Sequence, residues 1–225
     1  MIHILWATIR PQQFIHFHKI WMQKANNKEN IKTWVAVNWQ QHKDELKDYP
    51  CEVIVVDTKS IGVCYPSYQL SSNLECELDS DIVVFASDDF LPPEKWDTYL
   101  INKLNNIDGC LFVPDGYQLE DSSNMIDPCI TIPLMNYGCL KKLNKVIYHP
   151  AYNHMFSDNE LFLNCKELGM IVNCYHDGIQ FLHVQHSAGL RQVDNADQHY
   201  HSKWKVDQDT WKKRRKLTLQ ERLKV

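Results

Sequence analysis

At 225 residues, with 44% hydrophobic and 23% charged residues, the chain has ordinary globular composition, which excludes disorder and leaves room for one large domain. Its longest apolar runs, 81–86 and 129–135, fall far short of the roughly 20 residues of a membrane-spanning helix. The net charge of −4 conceals an asymmetry: residues 203–225 hold nine Lys/Arg against three Asp/Glu, so the remainder is acidic, which argues against a general nucleic-acid binder.

Residues 2–7 read as an apolar first strand without a basic leader, not as a signal peptide. A helix follows over 13–25, with Phe14, Phe17, Ile20, Trp21 and Ala25 at helical spacing. Strands are predicted at 32–37, 52–56, 81–86 and 109–113, the third and fourth separated by a helix over 68–78. Pro92-Pro93 is read as the first turn of a helix reaching about residue 105. Apolar strands alternating with helices predict an α/β fold with a mostly parallel, Rossmann-like central sheet flanked by helices. The second half is less regular, with a helix over 157–168, a strand at 171–174, and a strand-like run at 180–184 inside a His-rich segment. The predicted organisation is one domain over 1–202, divided into halves 1–113 and 114–202, followed by a basic tail over 203–225.

Eight cysteines without a C-x-x-C pair, several inside apolar runs, read as buried thiols of a reducing, cytoplasmic protein. H-E-x-x-H, Walker and G-x-G-x-x-G motifs are absent, which speaks against zinc proteases, P-loop enzymes and dinucleotide enzymes.

The chemistry concentrates at strand ends. Ligands of open α/β sheets bind beyond the carboxyl ends of the strands. Asp88-Asp89 directly follows the fourth strand, whereas Asp79-Ser80-Asp81, which formally matches D-x-D, precedes it and reads as turn chemistry. Adjacent carboxylates at a strand end repel unless a cation joins them, and a hard Mn²⁺ or Mg²⁺ ion suits the pair. A plain acidic turn is the other reading. Ser157-x-x-Glu160 has the spacing of a capping box, which leaves Asp158 free at the helix start. His183 and His186 fall in the segment 176–201, which carries five histidines.

The run Phe85-Ala86-Ser87-Asp88-Asp89-Phe90-Leu91-Pro92-Pro93 resembles the D-x-D region of GT-A-fold glycosyltransferases, especially the inverting family 2. Ala7-Thr8-Ile9-Arg10-Pro11 is similar to that family's first strand end. Ile61-Gly62 followed by Tyr68-Gln69-Leu70-Ser71-Ser72-Asn73 resembles the glycine and helix before its acidic motif, and Ser157-Asp158-Asn159-Glu160-Leu161 resembles its catalytic helix. The resemblance runs in order over about residues 1–190, and it implies an irregular acceptor side in the second half. Two departures stand out: Asn38-Trp39 where many members carry an acidic base-recognising residue, and Ser157 where they carry Glu.

What the resemblance implies is a metal-dependent transferase, expected to be inverting, that takes a sugar from a UDP- or GDP-sugar. Thr8, Arg10, Pro11, Asn38, Gly62, Asn73, Ser87 and Asp88 would line the donor pocket. Asp88 and Asp89, with His183 or His186, would hold Mn²⁺ or Mg²⁺. Asp158, with Glu160 second, would take the proton of an acceptor hydroxyl on a glycan, a lipid-linked molecule or a small molecule. Arg191 and the tail run Lys212–Lys216 would close over the diphosphate, form a solvated face, or touch an anionic membrane. A metal-dependent hydrolase built on the histidines, and a non-catalytic sugar-nucleotide or glycan-binding module, are the rival readings.

Overall fold

The structure, a computed structural model, describes residues 1–56, 62–116, 128–184, 189–190, 192–193 and 195–225, the last range without the side chains of 195–197 and 199–201. Its centre is a seven-stranded sheet in the order β3-β2-β1-β4-β7-β6-β8, formed by β1 (Ile2–Thr8), β2 (Ile31–Val37), β3 (Glu52–Val55), β4 (Ile82–Ala86), β6 (Cys110–Phe112), β7 (Leu134–Asn136) and β8 (Ile171–Asn173). Strands β3, β2, β1 and β4 are parallel neighbours, and β6 runs parallel to β8. β7 is antiparallel to both β4 and β6.

The two-residue side-chain period of a strand explains how the sheet buries both faces. In β4, Val83 and Phe85 enter one core, while Ile82, Val84 and Ala86 enter the other. The second core is closed by α1 (Pro11–Lys24) and α4 (Trp96–Leu104), through Phe14, Trp21, Trp96 and Leu100. The first is closed by α3 (Cys64–Asn73), α5 (Tyr137–Lys142), α6 (Ser157–Glu167), and Trp211 and Leu223 of the chain end. The short helix α2 (Gln40–Glu45) connects β2 to β3. A separate two-stranded sheet pairs β5 (Phe90–Leu91) with β9 (Leu182–His183).

Three local expectations need correction. Pro92 and Pro93 precede α4 instead of opening it, because Lys95 adopts a left-handed conformation (φ 56°) at its N-cap and its N–H is held by the Lys24 carbonyl at 2.7 Å. Helix α3 starts at Cys64 and stops at Asn73, several residues ahead of the predicted span. The Ser157–Glu160 capping box does not form: the N-cap is Phe156 (φ 66°), without a side-chain cap, and Ser157 Oγ donates to the His154 carbonyl at 3.2 Å.

The basic chain end is woven into the body. Helix α7 (Asn195–Arg214) runs through the 202/203 boundary, and α8 (Leu219–Arg222) follows a Thr218–Glu221 capping box. Asp207, Trp211 and Arg222 are buried. No helix among the described residues is long and apolar enough to cross a membrane.

Candidate functional site

The carboxyl ends of β1 and β4 bring the first group together. Thr8 ends β1, and its Oγ1 accepts the Arg10 backbone N–H at 2.9 Å and donates to Asp88 Oδ2 at 3.3 Å. The Arg10 guanidinium grips Asp88 through both oxygens, at 2.6 and 3.0 Å. Gln13 Nε2, one turn into α1, donates to the Asp88 carbonyl, while Pro11 is buried at the helix start. Burial pushes the Asp88 carboxyl up to about 6; the Arg10 charge opposes this and the neighbouring Asp89 adds to it.

That shift has a testable consequence for the metal-free protein. A folded value above the ordinary 3.8 means Asp88 favours folding most when protonated and costs stability as pH climbs from about 4 to 6. Asp88→Asn removes this slope. In urea unfolding with EDTA, wild type should lose up to about 3 kcal/mol more than the variant between pH 4 and 6.5. Parallel pH profiles for the two proteins would rule out the assignment.

Asp89 points elsewhere. Ser87 Oγ donates to its Oδ1, and His183 Nε2 lies 3.3 Å from its Oδ2. The β5–β9 pairing creates this meeting: Phe90 registers with His183, Val184 N–H donates to the Asp89 carbonyl at 2.6 Å, and the His183 ring stacks on Phe90 at 4.2 Å. The His183 backbone N–H is tied to the Asp115 carbonyl at 2.8 Å.

The pair fits a divalent ion. A carboxylate oxygen and an imidazole nitrogen bound to one ion at about 2.1 Å and near right angles sit roughly 3 Å apart. Asp88, the other carboxylate predicted to bind the metal, stands apart from this pair, with both of its oxygens bonded to Arg10. His186 and Arg191 lie outside the described residues, so their predicted roles have no structural counterpart here.

Among the described residues, one trio of His, Cys or carboxylate groups has ligand atoms within 4.8 Å of one another: His3, Cys76 and Asp81, at the opposite sheet edge. Each is committed differently. Trp34 Nε1–H donates to His3 Nδ1 at 3.2 Å, which places the neutral ring's proton on the nitrogen a metal would need. Asp81 accepts from the Met1 amine at 2.9 Å and from Leu78 N–H, and burial pushes the Cys76 thiol up to about 12. This is the formal D-x-D decoy, and its chemistry is structural.

Asp158 is the third element. It lies in the first turn of α6, where its Oδ1 accepts from Asn159 N–H at 3.0 Å and its carbonyl accepts from Ile130 N–H at 3.2 Å. Burial raises its carboxyl above the ordinary range, opposed by a hydrogen bond from the Cys129 thiol and by the nearby His183. Burial thus makes this carboxylate more basic than a solvated one.

Glu160 does not share that freedom. It is 2% exposed, accepts from Tyr152 OH at 2.7 Å, and forms a two-pronged ion pair with Arg214 at 2.8 Å on each arm. The predicted second candidate for the base is therefore a structural anchor. Arg214 belongs to the basic run 212–216, so that run is not a uniform solvated face.

The remaining predicted donor residues separate by position. Asn38 is buried at the end of β2, beside the half-exposed Trp39, on the carboxyl edge. A Cβ on Gly62 would collide with the Asn153 carbonyl, so this glycine serves close backbone packing. Asn73 ends α3 at the far edge, bonded within its own helix to the Gln69 carbonyl at 2.8 Å, because a helix crossing between parallel strands runs back toward their amino ends. The structure adds Asp115, 1% exposed beyond β6, whose Oδ2 accepts from Thr131 Oγ1 at 3.0 Å. Its setting, Pro114-Asp115-Gly116 after an apolar run, was the signal available in sequence.

Comparison with known structures agrees with this architecture. The mostly parallel seven-stranded sheet between helices is that of a GT-A-like α/β fold. The chain superposes on residues 1–349 of Staphylococcus aureus TarS in complex with UDP-GlcNAc, with TM-score 0.60 and 14% identity, over 87% of this chain and 60% of that one. A longer TarS structure gives 0.56 at 14% identity, covering 81% and 36%. The mannosyltransferase PcManGT of Pyrobaculum calidifontis, in complex with GDP-Man and Mn²⁺, gives 0.61 at 11% identity, covering 92% and 60%. The chain thus spans between about a third and three fifths of the length of these proteins. No protein-family model and no curated protein matches the sequence.

Proposed function

We propose that the protein transfers a sugar from a nucleoside-diphosphate sugar to an acceptor hydroxyl, with a divalent cation and with inversion at the anomeric carbon. The observation that carries this reading is the meeting of Asp89 and His183 at 3.3 Å, at the carboxyl end of the sheet. The UDP-GlcNAc and the GDP-Man with Mn²⁺ held by the matched structures support a nucleotide-sugar donor.

Asp89 and His183 would hold Mn²⁺ or Mg²⁺, which when bound neutralises charge on the departing diphosphate. Asp88 holds the Arg10 guanidinium at the carboxyl edge, where its positive charge would offset the negative charge of the donor phosphates. Thr8, Asn38 and Trp39 border the nucleotide side. As the acceptor oxygen bonds to the anomeric carbon, the bond from that carbon to the diphosphate oxygen breaks, and the hydroxyl proton passes to Asp158. Inversion follows from a single displacement with one base. Glu160, locked by Arg214, takes no proton.

A thermal-shift screen of nucleotide sugars with Mn²⁺ and with EDTA tests the reading. A ligand at about 100 times its dissociation constant adds roughly 2.7 kcal/mol of stability. At least one UDP- or GDP-sugar should raise the melting temperature by several degrees with Mn²⁺ and not with EDTA. No shift with any nucleotide sugar would overturn it.

A further inference from the structure

The loop that launches α6 is held by a residue far along the chain. Asp207, fully buried on α7, accepts four hydrogen bonds, each at 2.9 Å: Oδ1 from the backbone N–H and Nδ2 of Asn153, and Oδ2 from the backbone N–H groups of His154 and Met155. Three successive backbone N–H groups converging on one carboxylate form an anion nest, here filled from within the protein. On the other side, the Asn153 carbonyl packs against Gly62 and accepts from Cys64 N–H at 3.3 Å. The loop is therefore wedged between α7 and the start of α3. Next in the chain come Phe156, in its left-handed conformation and with its ring 5.5 Å from Trp204 of α7, and then Ser157 and Asp158.

Helix α6 has no side-chain cap of its own. The loop that leads into it is held from α7 instead, and α7 also fixes Glu160, in the first turn of α6, through Arg214. We infer that Asp207 is a positioning residue for Asp158: it sets the angle at which the first turn of α6 presents that carboxylate to the acceptor hydroxyl. This role rests on the transferase reading above. It deepens that reading by making α7 part of the catalytic support.

Asp207→Asn is the direct probe. The amide keeps the shape but turns an NH₂ toward backbone N–H donors, so the loop loses part of its anchor. The experiment measures turnover of a donor identified in the thermal screen (transfer, or slow donor hydrolysis) together with donor affinity by calorimetry. Trp211→Phe serves as a control that loosens α7 without touching the nest.

The expected result is a fall in kcat of at least tenfold for Asp207→Asn, with donor KM and affinity changed less than twofold. Trp211→Phe, compared at the same distance below its own melting temperature, should keep most of its turnover. Equal kcat losses in the two variants, or a loss confined to donor KM, would overturn the role. If Asp207→Asn does not fold, Asp207→Glu reads the same point, since it keeps the charge but displaces the acceptors by one methylene; undiminished kcat there overturns the role too. A wild type that turns over no donor overturns the transferase reading and this role with it, whereas an active wild type with an unimpaired Asp207→Asn overturns this role alone.

Discussion

Asp158→Asn is expected to lower kcat about 100-fold or more, the usual scale for loss of a general base, while leaving donor and metal affinity nearly unchanged. The substitution keeps the oxygen that accepts the Asn159 N–H, so the first turn of α6 retains its geometry. What disappears is the ability to take a proton. Because burial raises the Asp158 carboxyl, wild-type kcat should fall as pH drops through that raised value, and this acid limb should vanish in the variant. Initial rates across pH 4–8 measure both effects. Glu160→Gln should act in the opposite sense: it weakens a buried ion pair with Arg214, so unfolding in urea becomes easier while turnover per folded molecule changes little. Full activity in Asp158→Asn combined with abolished activity in Glu160→Gln would transfer the base role to Glu160.

Removing Asp89 should separate nucleotide binding from metal. With Mn²⁺ or Mg²⁺ present, wild type is expected to bind UDP or GDP about 100-fold more tightly than with EDTA, since cation neutralisation of a diphosphate is worth several kcal/mol. Asp89→Ala should bind equally under both conditions, at the weaker level. The side chain bonds to Ser87 and His183 and belongs to neither hydrophobic core, so the fold should persist. Calorimetry with each nucleotide, with and without EDTA, is the measurement. Wild-type affinity that is indifferent to EDTA would remove the metal from the proposal, and activation by zinc alone would favour the hydrolase rival.

How much of this was legible depends on where each residue's partners lie. β1, β2 and β4 are dense in β-branched and aromatic residues, and their burial on both faces makes the apolar run itself the signal. β7 carries no such signal: Leu134-Met135-Asn136 is three residues long and follows Pro133, too short to display a period. In sequence α7 looks like a tail because two of its inward residues, Asp207 and Arg214, are charged, and apolar periodicity passes over a helix held by ion pairs and hydrogen bonds. At the site, Asp88-Asp89 was readable from its position after β4. Its division of labour was not, because Arg10 and His183 approach from opposite sides and at long range. Ser157 and Glu160 show the reverse error: a local spacing matched a familiar motif, and a distant arginine claimed the glutamate.

The two-stranded β5–β9 pairing also bears on how the protein is made. Asp89 and His183 are 94 residues apart in sequence and meet only through that short pairing. At synthesis rates of about 5–20 residues per second, the first group leaves the ribosome several seconds before the second. A nascent chain can begin assembling β1, β2 and β4 while it holds Asp89 without His183 and has no fixed Asp158 loop. An ion shared by Asp89 and His183 would therefore gain its grip only after residue 183 has been made and β9 has paired with β5, well after β1, β2 and β4 can begin to assemble.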